Sequence, residues 1–239
     1  MLCLYVEAPF AVCRTFTAGW YRPTATFLTP SAAYGLVLNI AGIESRMREE
    51  DEGHDTKTPA STTRPGLPSV KLAIGAPEGN NPFPCVQSAY QQLHNYPVGT
   101  SGRERAKSAW GNKYNITPVR REFLSGLRAI VCLDDNADLE DRVRRGLNGE
   151  FNFARYGLPF LGDNAFLLDR LEEMGSVPAT HWYRQITDSG GRPHPRTTRL
   201  TVWIDRVNLS RTVSYLYAPE DDATSEIPQA AWTEVKPPL

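Results

Sequence analysis

Apolar residues recur along the chain with the spacing of strands and short helices. Residues 2–13, LCLYVEAPFAVC, are nearly continuous in apolar character and predict a buried central strand, with Pro9 at its end or at a bulge. The runs 71–75 and 82–96 predict two further strands. Residues 122–135, EFLSGLRAIVCLDD, predict another, so strands account for much of the first half of the chain.

A helix is predicted between the first two of these strands. Thr29 supplies a hydroxyl that can cap its N-terminus, and Pro30 follows at the first helical position, where the missing N–H costs nothing. Gly42 is typical of a helix end. Because glycine costs about 1 kcal/mol relative to alanine inside a helix, Gly35 predicts a close approach to another backbone. One apolar face is expected to be buried, formed by Ala33, Leu36, Val37, Ile40 and Ala41.

The second half predicts a short helix, then a turn and a second helix, and then strands. The helices are expected at 136–149 and after an N-cap at Asp163 within 158–175, the strands at 181–186, 199–206 and 212–218, and a fraying tail from Pro219. The order β-α-β-β-projection-β-α fits a split βαβ arrangement. We therefore expect an α+β, ferredoxin-like fold with additions and a β-rich C-terminal part.

Charge is unevenly distributed in a chain whose formal net charge is −1. Residues 44–69 form an acidic and then Thr/Ser/Pro-rich segment, expected to be a mobile surface loop. Residues 97–121 carry six bases and one acid, with interleaved aromatics. This basic projection is either a solvated loop or a surface for nucleic acid. Its basic and aromatic residues are Arg103, Arg105, Lys107, Trp110, Lys113, Tyr114, Arg120 and Arg121.

Composition narrows the class of protein. Apolar residues make up 41% of the chain, which is enough for a core. The four cysteines are far apart, form no C-x-x-C pair and are expected to be buried thiols in a reducing cytoplasm. No targeting segment or long apolar run predicts a membrane association. The four histidines and the remaining motifs predict neither a metal site nor a cofactor site.

Four stretches, in order, resemble the fifth family of CRISPR-associated (Cas) proteins, within the repeat-associated mysterious protein (RAMP) superfamily. They are LYVEAPFAVCR, LTPSAAYGLVLNIAGIE, PVRREFLSGLRAIVCL and RYGLPFLGDNAFLLD, the last similar to the I-B-like branch. Together they span roughly residues 2 to 170. The acidic loop and the C-terminal 70 residues match no pattern of that family.

The resemblance implies an RNA-recognition-motif-like (RRM-like) RAMP domain over residues 1–175, with a thumb-like basic projection, and an extension over 176–239. It implies a non-catalytic subunit of a type I Cascade complex that caps the 5′ handle of the guide crRNA. It also implies contacts with the backbone and large subunits, and indirectly with target DNA. Arg14, Tyr21 and Arg22 are then the expected RNA-facing neighbours of the first helix, joining the basic and aromatic residues of the projection.

Two alternatives remain. One branch of the family cleaves the precursor guide RNA, so a metal-independent endoribonuclease is conceivable, with His94, Tyr96 and Lys113 as the groups that could be assembled around the projection. A domain that binds only proteins would leave the positive charge of the projection unexplained.

Overall fold

The protein is described here by a computed structural model over residues 1–15, 20–51, 53–55, 62–97, 114–152, 157–187, 194–205 and 208–237. Two α-helices are formed by these residues, α1 (Pro30–Ile40) and α2 (Ala137–Leu147), and short 3-10 turns lie at Leu209–Arg211 and Gln229–Ala231. The strands that these residues form are β1 (Leu2–Ala11), β2 (Tyr21–Arg22), β3 (Val70–Pro77), β4 (Cys85–Pro97), β5 (Tyr114–Asp134), β6 (Arg170–Glu173), β7 (Thr180–Gln185), β8 (Thr198–Trp203), β9 (Val213–Pro219) and β10 (Thr233–Val235).

The four central strands lie in the order β6-β1-β5-β3, and every neighbouring pair is antiparallel. Helix α1 connects β1 to β3, and α2 connects β5 to β6. Each helix therefore crosses over a strand that belongs to the other unit, which is the split βαβ arrangement of a ferredoxin-like fold. The predicted α+β class is confirmed. Strands β7, β9 and β8 extend the sheet beyond β3.

Helix α1 forms as its local sequence predicts. The Thr29 side chain accepts a hydrogen bond from the Ala32 N–H (3.2 Å), and Pro30 follows the cap. Gly42 has a φ of +67°, the left-handed conformation that favours glycine after a helix. The five apolar residues predicted to share a face are all buried against the helix side of the sheet.

The close backbone approach expected at Gly35 is wrong, because a Cβ built there meets nothing within 4 Å. The glycine that allows close packing is Gly146 on α2, where a Cβ would lie 1.8 Å from the carbonyl oxygen of Ile40. Beside it, Arg142 donates from Nε (3.2 Å) and Nη2 (3.1 Å) to the Ala41 carbonyl. The two helices therefore meet at the C-terminal end of α1.

The opposite face of the sheet is covered by the chain's own C-terminal residues. Alternate strand residues point to opposite faces, so Cys3, Ile130 and Cys132 turn away from the helices. They join a second cluster whose other members are Ala73, Trp182 and Ala231, with Tyr5, Met174, Val177, Ile227 and Trp232 packed against it. An RNA-recognition motif stacks bases on this face of its sheet. Here C-terminal residues cover much of that face, so less of it is open to bases than in an RNA-recognition motif.

The prediction that the tail from Pro219 frays is wrong. Strand β10 pairs antiparallel with β3, and Val235 is fully buried. The tail is ordered because β10 completes the hydrogen bonding of β3 where β7 does not reach it.

The helix predicted after Asp163 is also absent from the described residues 157–175. The Asp163 side chain accepts a hydrogen bond from the Ala165 N–H (2.9 Å), but within a turn. Strand β6 follows and pairs with β1. Pairing with the edge of a central strand outweighs the local helical pattern.

The expectation of four buried thiols is wrong for three of them, since two are bonded to each other and Cys85 is exposed. Cys3 and Cys132 lie directly opposite each other on β1 and β5, and their sulfurs are bonded. Cys13 is buried and Cys85 is exposed. A separation of 129 residues hides this pairing in the sequence, because only the register of the two strands brings the residues together.

The described part of the acidic loop is anchored. Met47 N–H donates to the Thr62 carbonyl (2.8 Å), and Arg64 N–H donates to the Ser45 carbonyl (3.0 Å). The Tyr34 hydroxyl of α1 donates to the Pro68 carbonyl (2.7 Å). The two ends of the loop are thus tied to each other and to α1.

Candidate nucleic-acid interface

Strands β4 and β5 leave the core together as a two-stranded ribbon, residues 85–97 and 114–125. Strand β5 pairs with β1 over 124–133 and with β4 over 114–125, so one strand belongs to both the core and the ribbon. The β4 side chains at 85–92 are all exposed. At about 3.3 Å per residue, the 13 residues of β4 span roughly 40 Å. The ribbon is the described base of the predicted basic projection.

Three side chains form a row across the base of the ribbon. Tyr90 of β4 pairs with Arg120 of β5, and Arg120 pairs in turn with Tyr21 of the short parallel strand β2. Residues paired directly across strands leave the same face of a sheet. Tyr90 is 79% exposed and Tyr21 is 41% exposed. We call Tyr21, Arg120 and Tyr90 the platform.

The platform is held in place by neighbouring polar groups. Arg120 donates from Nε to Ser88 Oγ (2.9 Å), and its guanidinium carbon lies 5.4 Å from the Tyr21 ring centroid. The Tyr21 hydroxyl donates to Glu122 Oε1 (2.6 Å), and this hydrogen bond raises the pKa of Tyr21. The row therefore presents an open tyrosine ring and an oriented guanidinium plane, which are the groups that stack on unpaired bases.

A group of positive charges lies on the opposite face of the ribbon from the platform, because Arg22 and Arg121 each follow a platform residue along their strands. Arg22 pairs with Arg121 in the β2–β5 register, and a bridge to Thr24 fixes the backbone of Arg14. Burial, and then the charges of Arg121 and Arg22, lower the pKa of Arg14. Among the described residues, neither Arg14 nor Arg22 forms an ion pair with a carboxylate. An anion bound here would relieve their mutual repulsion.

Arg121 is engaged differently from the other arginines. Its Nη1 lies 2.5 Å from Asp163 Oδ2, and its side chain is only 14% exposed. Its guanidinium carbon is 5.8 Å from the Phe166 ring centroid. The predicted RNA contact of Arg121 would have to compete with this ion pair, which fastens the turn around residue 163 to the ribbon.

We predict that this ion pair contributes to stability in a pH-dependent way. Burial opposes the charged form of Asp163, but the Ala165 N–H and the Arg121 guanidinium outweigh it and lower the pKa of Asp163. A carboxylate whose folded pKa lies below the unfolded value of about 3.9 stabilises the fold above that pH, and the contribution is lost as pH falls through the folded pKa. As pH decreases below 4, the unfolding free energy of Asp163→Asn should therefore fall less than that of the wild type. An acid titration of both proteins, followed by their unfolding, measures this difference.

At neutral pH, Arg121→Ala should lower the unfolding free energy by about 2 kcal/mol, between the values of surface and buried pairs. Arg145→Ala is the matched control, since its ion pair with Glu150 is about half exposed and should contribute almost nothing. Equal losses in the two variants would contradict a stabilising role for the pair with Asp163.

The structure brings together five of the predicted site residues: Arg14, Tyr21, Arg22, Arg120 and Arg121. Arg103, Arg105, Lys107, Trp110 and Lys113 lie outside the described residues, as does the side chain of Tyr114. The side chains of His94 and Tyr96 also lie outside them, so the group considered for ribonuclease chemistry stays a prediction.

Sequence reasoning missed Tyr90, and it did not select Trp20, which is 67% exposed next to Tyr21. The Trp20 carbonyl accepts a hydrogen bond from the Arg120 N–H (2.8 Å), so it lies at the edge of the platform. An aromatic residue in an alternating strand is usually a packing residue. The only available signal for Tyr90 was its polar setting, QSAYQQ.

Within the described part of the chain, no cluster of three or more His, Cys, Asp or Glu side chains could hold a metal ion. No helix there is long and apolar enough to cross a membrane.

Comparisons with known proteins give a likeness in structure alone. A chain of a solved structure described as "CRISPR RNA-guided surveillance complex" aligns with a TM-score of 0.55 and 13% identity, covering 93% of this chain and 90% of that chain. A second, described as "Crystal structure of Cas protein", aligns with a TM-score of 0.43 and 13% identity, covering 92% and 93%. The first likeness shows a shared fold, and the second is too distant to add to it. The sequence matches no protein-family model and no curated protein.

Proposed function

We propose that this chain is an RNA-binding subunit of a type I CRISPR Cascade complex, and that it binds the 5′ handle of the guide crRNA at the base of its ribbon. The observation that carries the proposal is the platform. An exposed tyrosine, a guanidinium and a second tyrosine lie in register. Arg14 and Arg22 lie on the other face of the same ribbon, where the charge of Asp163 offsets only part of the positive charge of the cluster.

Single-stranded RNA fits this surface better than a duplex does. Unpaired bases can stack on Tyr90 and on the Arg120 plane, whereas the bases of a duplex are already stacked. Arg14 and Arg22 are suited to phosphates of the same strand where it passes around the β2 edge to the other face of the ribbon. Much of the far face of the sheet, which an RNA-recognition motif would use, is covered by C-terminal residues.

The proposed place of this chain in a Cascade complex rests on its fold and on its resemblance in sequence. The shared fold with a chain of an RNA-guided surveillance complex supports a place in such an assembly. The partners would be the backbone and large subunits of the complex, with target DNA contacted only indirectly. The protein would act in the cytoplasm, with no cofactor of its own.

Titration of the purified protein with a labelled single-stranded repeat RNA tests the proposal. We expect binding to the single strand, weaker binding to the same sequence as a duplex, and no cleavage. Equal binding of both forms would count against recognition by stacking. Cleavage would instead favour the endoribonuclease with His94, Tyr96 and Lys113, and a lack of binding to any RNA would overturn the proposal.

Tyr90→Ala should weaken binding of the single-stranded handle without unfolding the protein, because the side chain is 79% exposed. Loss of one base–aromatic stack costs about 1–3 kcal/mol, or roughly 5- to 150-fold in affinity. Because no charge is removed, the dependence of affinity on salt should not change. Tyr90→Phe keeps the ring and is the matched control. If the phenylalanine variant binds as weakly as the alanine variant, the contact of Tyr90 is not a stack.

A further inference from the structure

A groove of about 860 Å³ runs along α1 on the helix side of the molecule. Its volume lies in the range of ligand pockets, roughly 300–1,000 Å³. Aromatic side chains line it at Tyr34, Phe160 and Trp203, and Phe160 is 38% exposed. None of the residues of the platform lines this groove, so it is a separate feature of the surface.

The walls of the groove are fixed by the fold. On one side Gly162 lies so close to Val12 that a Cβ would be 1.8 Å from its carbonyl oxygen, and Val12 N–H donates to the Leu161 carbonyl (3.0 Å). On the other side Arg46 and Thr63 form a bridge, and Arg46 donates to both carboxylate oxygens of Glu44 (3.1 Å each). Contacts within the chain therefore hold both walls of the groove in place.

Gly35 lies in the floor of the groove. It is exposed, and a Cβ there would meet nothing within 4 Å, so packing does not require a glycine. A glycine inside a helix is less favourable than alanine. Gly35 makes α1 less stable, and no neighbouring side chain requires a glycine there. Its presence is explained if a ligand occupies the space in front of it.

Arg14 links the groove to the arginines on the other face of the ribbon from the platform. It lines the groove, its Nη2 donates to the Gly162 carbonyl (3.3 Å), and it interacts electrostatically with Arg121, Arg22 and Asp163. Arg46 and Arg48 also line the groove, but they are paired with Glu44 and Glu50. Arg14 is therefore the cation of the groove that is available to a phosphate.

We propose that this groove takes an unstacked base of the single-stranded RNA whose phosphates Arg14 and Arg22 bind. The inference rests on the proposed function and adds a second recognition site to it. Aromatic walls and the guanidinium of Arg14 suit a base with an attached phosphate. A strand that passes Arg14 could turn one nucleotide into the groove while a neighbouring phosphate lies against Arg22.

The test combines a plug in the groove with the removal of single bases. Affinity is measured for the wild type and for Gly35→Leu, each with the handle RNA and with a series in which each base in turn is replaced by an abasic site. For the wild type, one abasic position should weaken binding roughly tenfold or more. Gly35→Leu should bind the complete RNA as weakly as the wild type binds that abasic RNA, and should lose nothing further on it. Gly35→Ala is the control for the helix, since it should keep the affinity of the wild type.

A second measurement does not depend on how the variant folds. RNA carrying 4-thiouridine at the sensitive position, irradiated on the wild-type protein, should crosslink to a peptide that contains Tyr34, Phe160 or Trp203. If Gly35→Leu binds every RNA like the wild type, or if crosslinks fall only on the ribbon, the groove does not take a base, although the proposed function stands. If the wild type binds no RNA at all, both fail.

Discussion

Replacing Arg14, Arg22 and Arg120 together with alanine should weaken binding of the single-stranded handle by roughly 100-fold. Hydrogen bonds to charged groups contribute about 1.5–3 kcal/mol each, and exposure to solvent reduces this for surface arginines, so we expect about 3 kcal/mol in all. Each lost phosphate contact on a single strand also lowers the dependence of log affinity on log salt by about 0.7. Arg14 and Arg22 are the two proposed phosphate contacts, so the slope should fall by about 1.4 in a salt titration.

The matched control removes the same charge elsewhere. Three exposed arginines lie outside the candidate interface: Arg170, Arg199 and Arg211. None of them belongs to the platform or to the arginine group around Arg14. Their triple alanine variant should keep both the affinity and the slope. If both triple variants lose affinity equally, RNA binding depends only on the net charge of the protein. The base of the ribbon would then not be a specific binding site.

Gly146→Ala should destabilise the protein strongly, although alanine is normally the better helix residue. Its Cβ would lie 1.8 Å from the Ile40 carbonyl oxygen, which is backbone and cannot rotate away. Helix α2 would have to move off α1, and we expect a loss of about 3 kcal/mol, or roughly 6–12 °C in melting temperature.

Gly35→Ala is the internal comparison, because both glycines lie inside helices. With nothing within 4 Å of its Cβ, it should raise stability by about 1 kcal/mol, or roughly 2–4 °C. Thermal melts of the two variants should therefore move in opposite directions. A stable Gly146→Ala protein would mean that the helices are not packed as described.

Features that depend on neighbours along the chain could be predicted from the sequence. Helix α1 is the best example, since Thr29, Pro30 and Gly42 specify its ends through groups within one turn. The core strands β1, β3 and β5 were also predicted, because their apolar runs are long. From these the order of a ferredoxin-like fold followed.

Features that depend on register or on helix packing could not be predicted. Tyr90 and Arg120 are neighbours only because β4 pairs with β5 in one register, and the same holds for Cys3 and Cys132 on β1 and β5. Because glycine destabilises a helix, a glycine inside a helix indicates a special local requirement. The sequence alone does not show what that requirement is. At Gly146 the cause is a neighbouring backbone, and at Gly35 it is open space.

The covering of the far sheet face by Ile227, Ala231 and Trp232 has a consequence for synthesis on the ribosome. These residues emerge after every strand that they cover, and β1 has to wait for β5 before it can pair. Until then the side chains of Ile130 and Trp182, both fully buried in the finished protein, have no cover from the C-terminus. Closing such distant contacts is slow, and an open apolar face invites association with other nascent chains. Chaperone engagement during translation is therefore expected to matter most until the residues that cover this face have emerged.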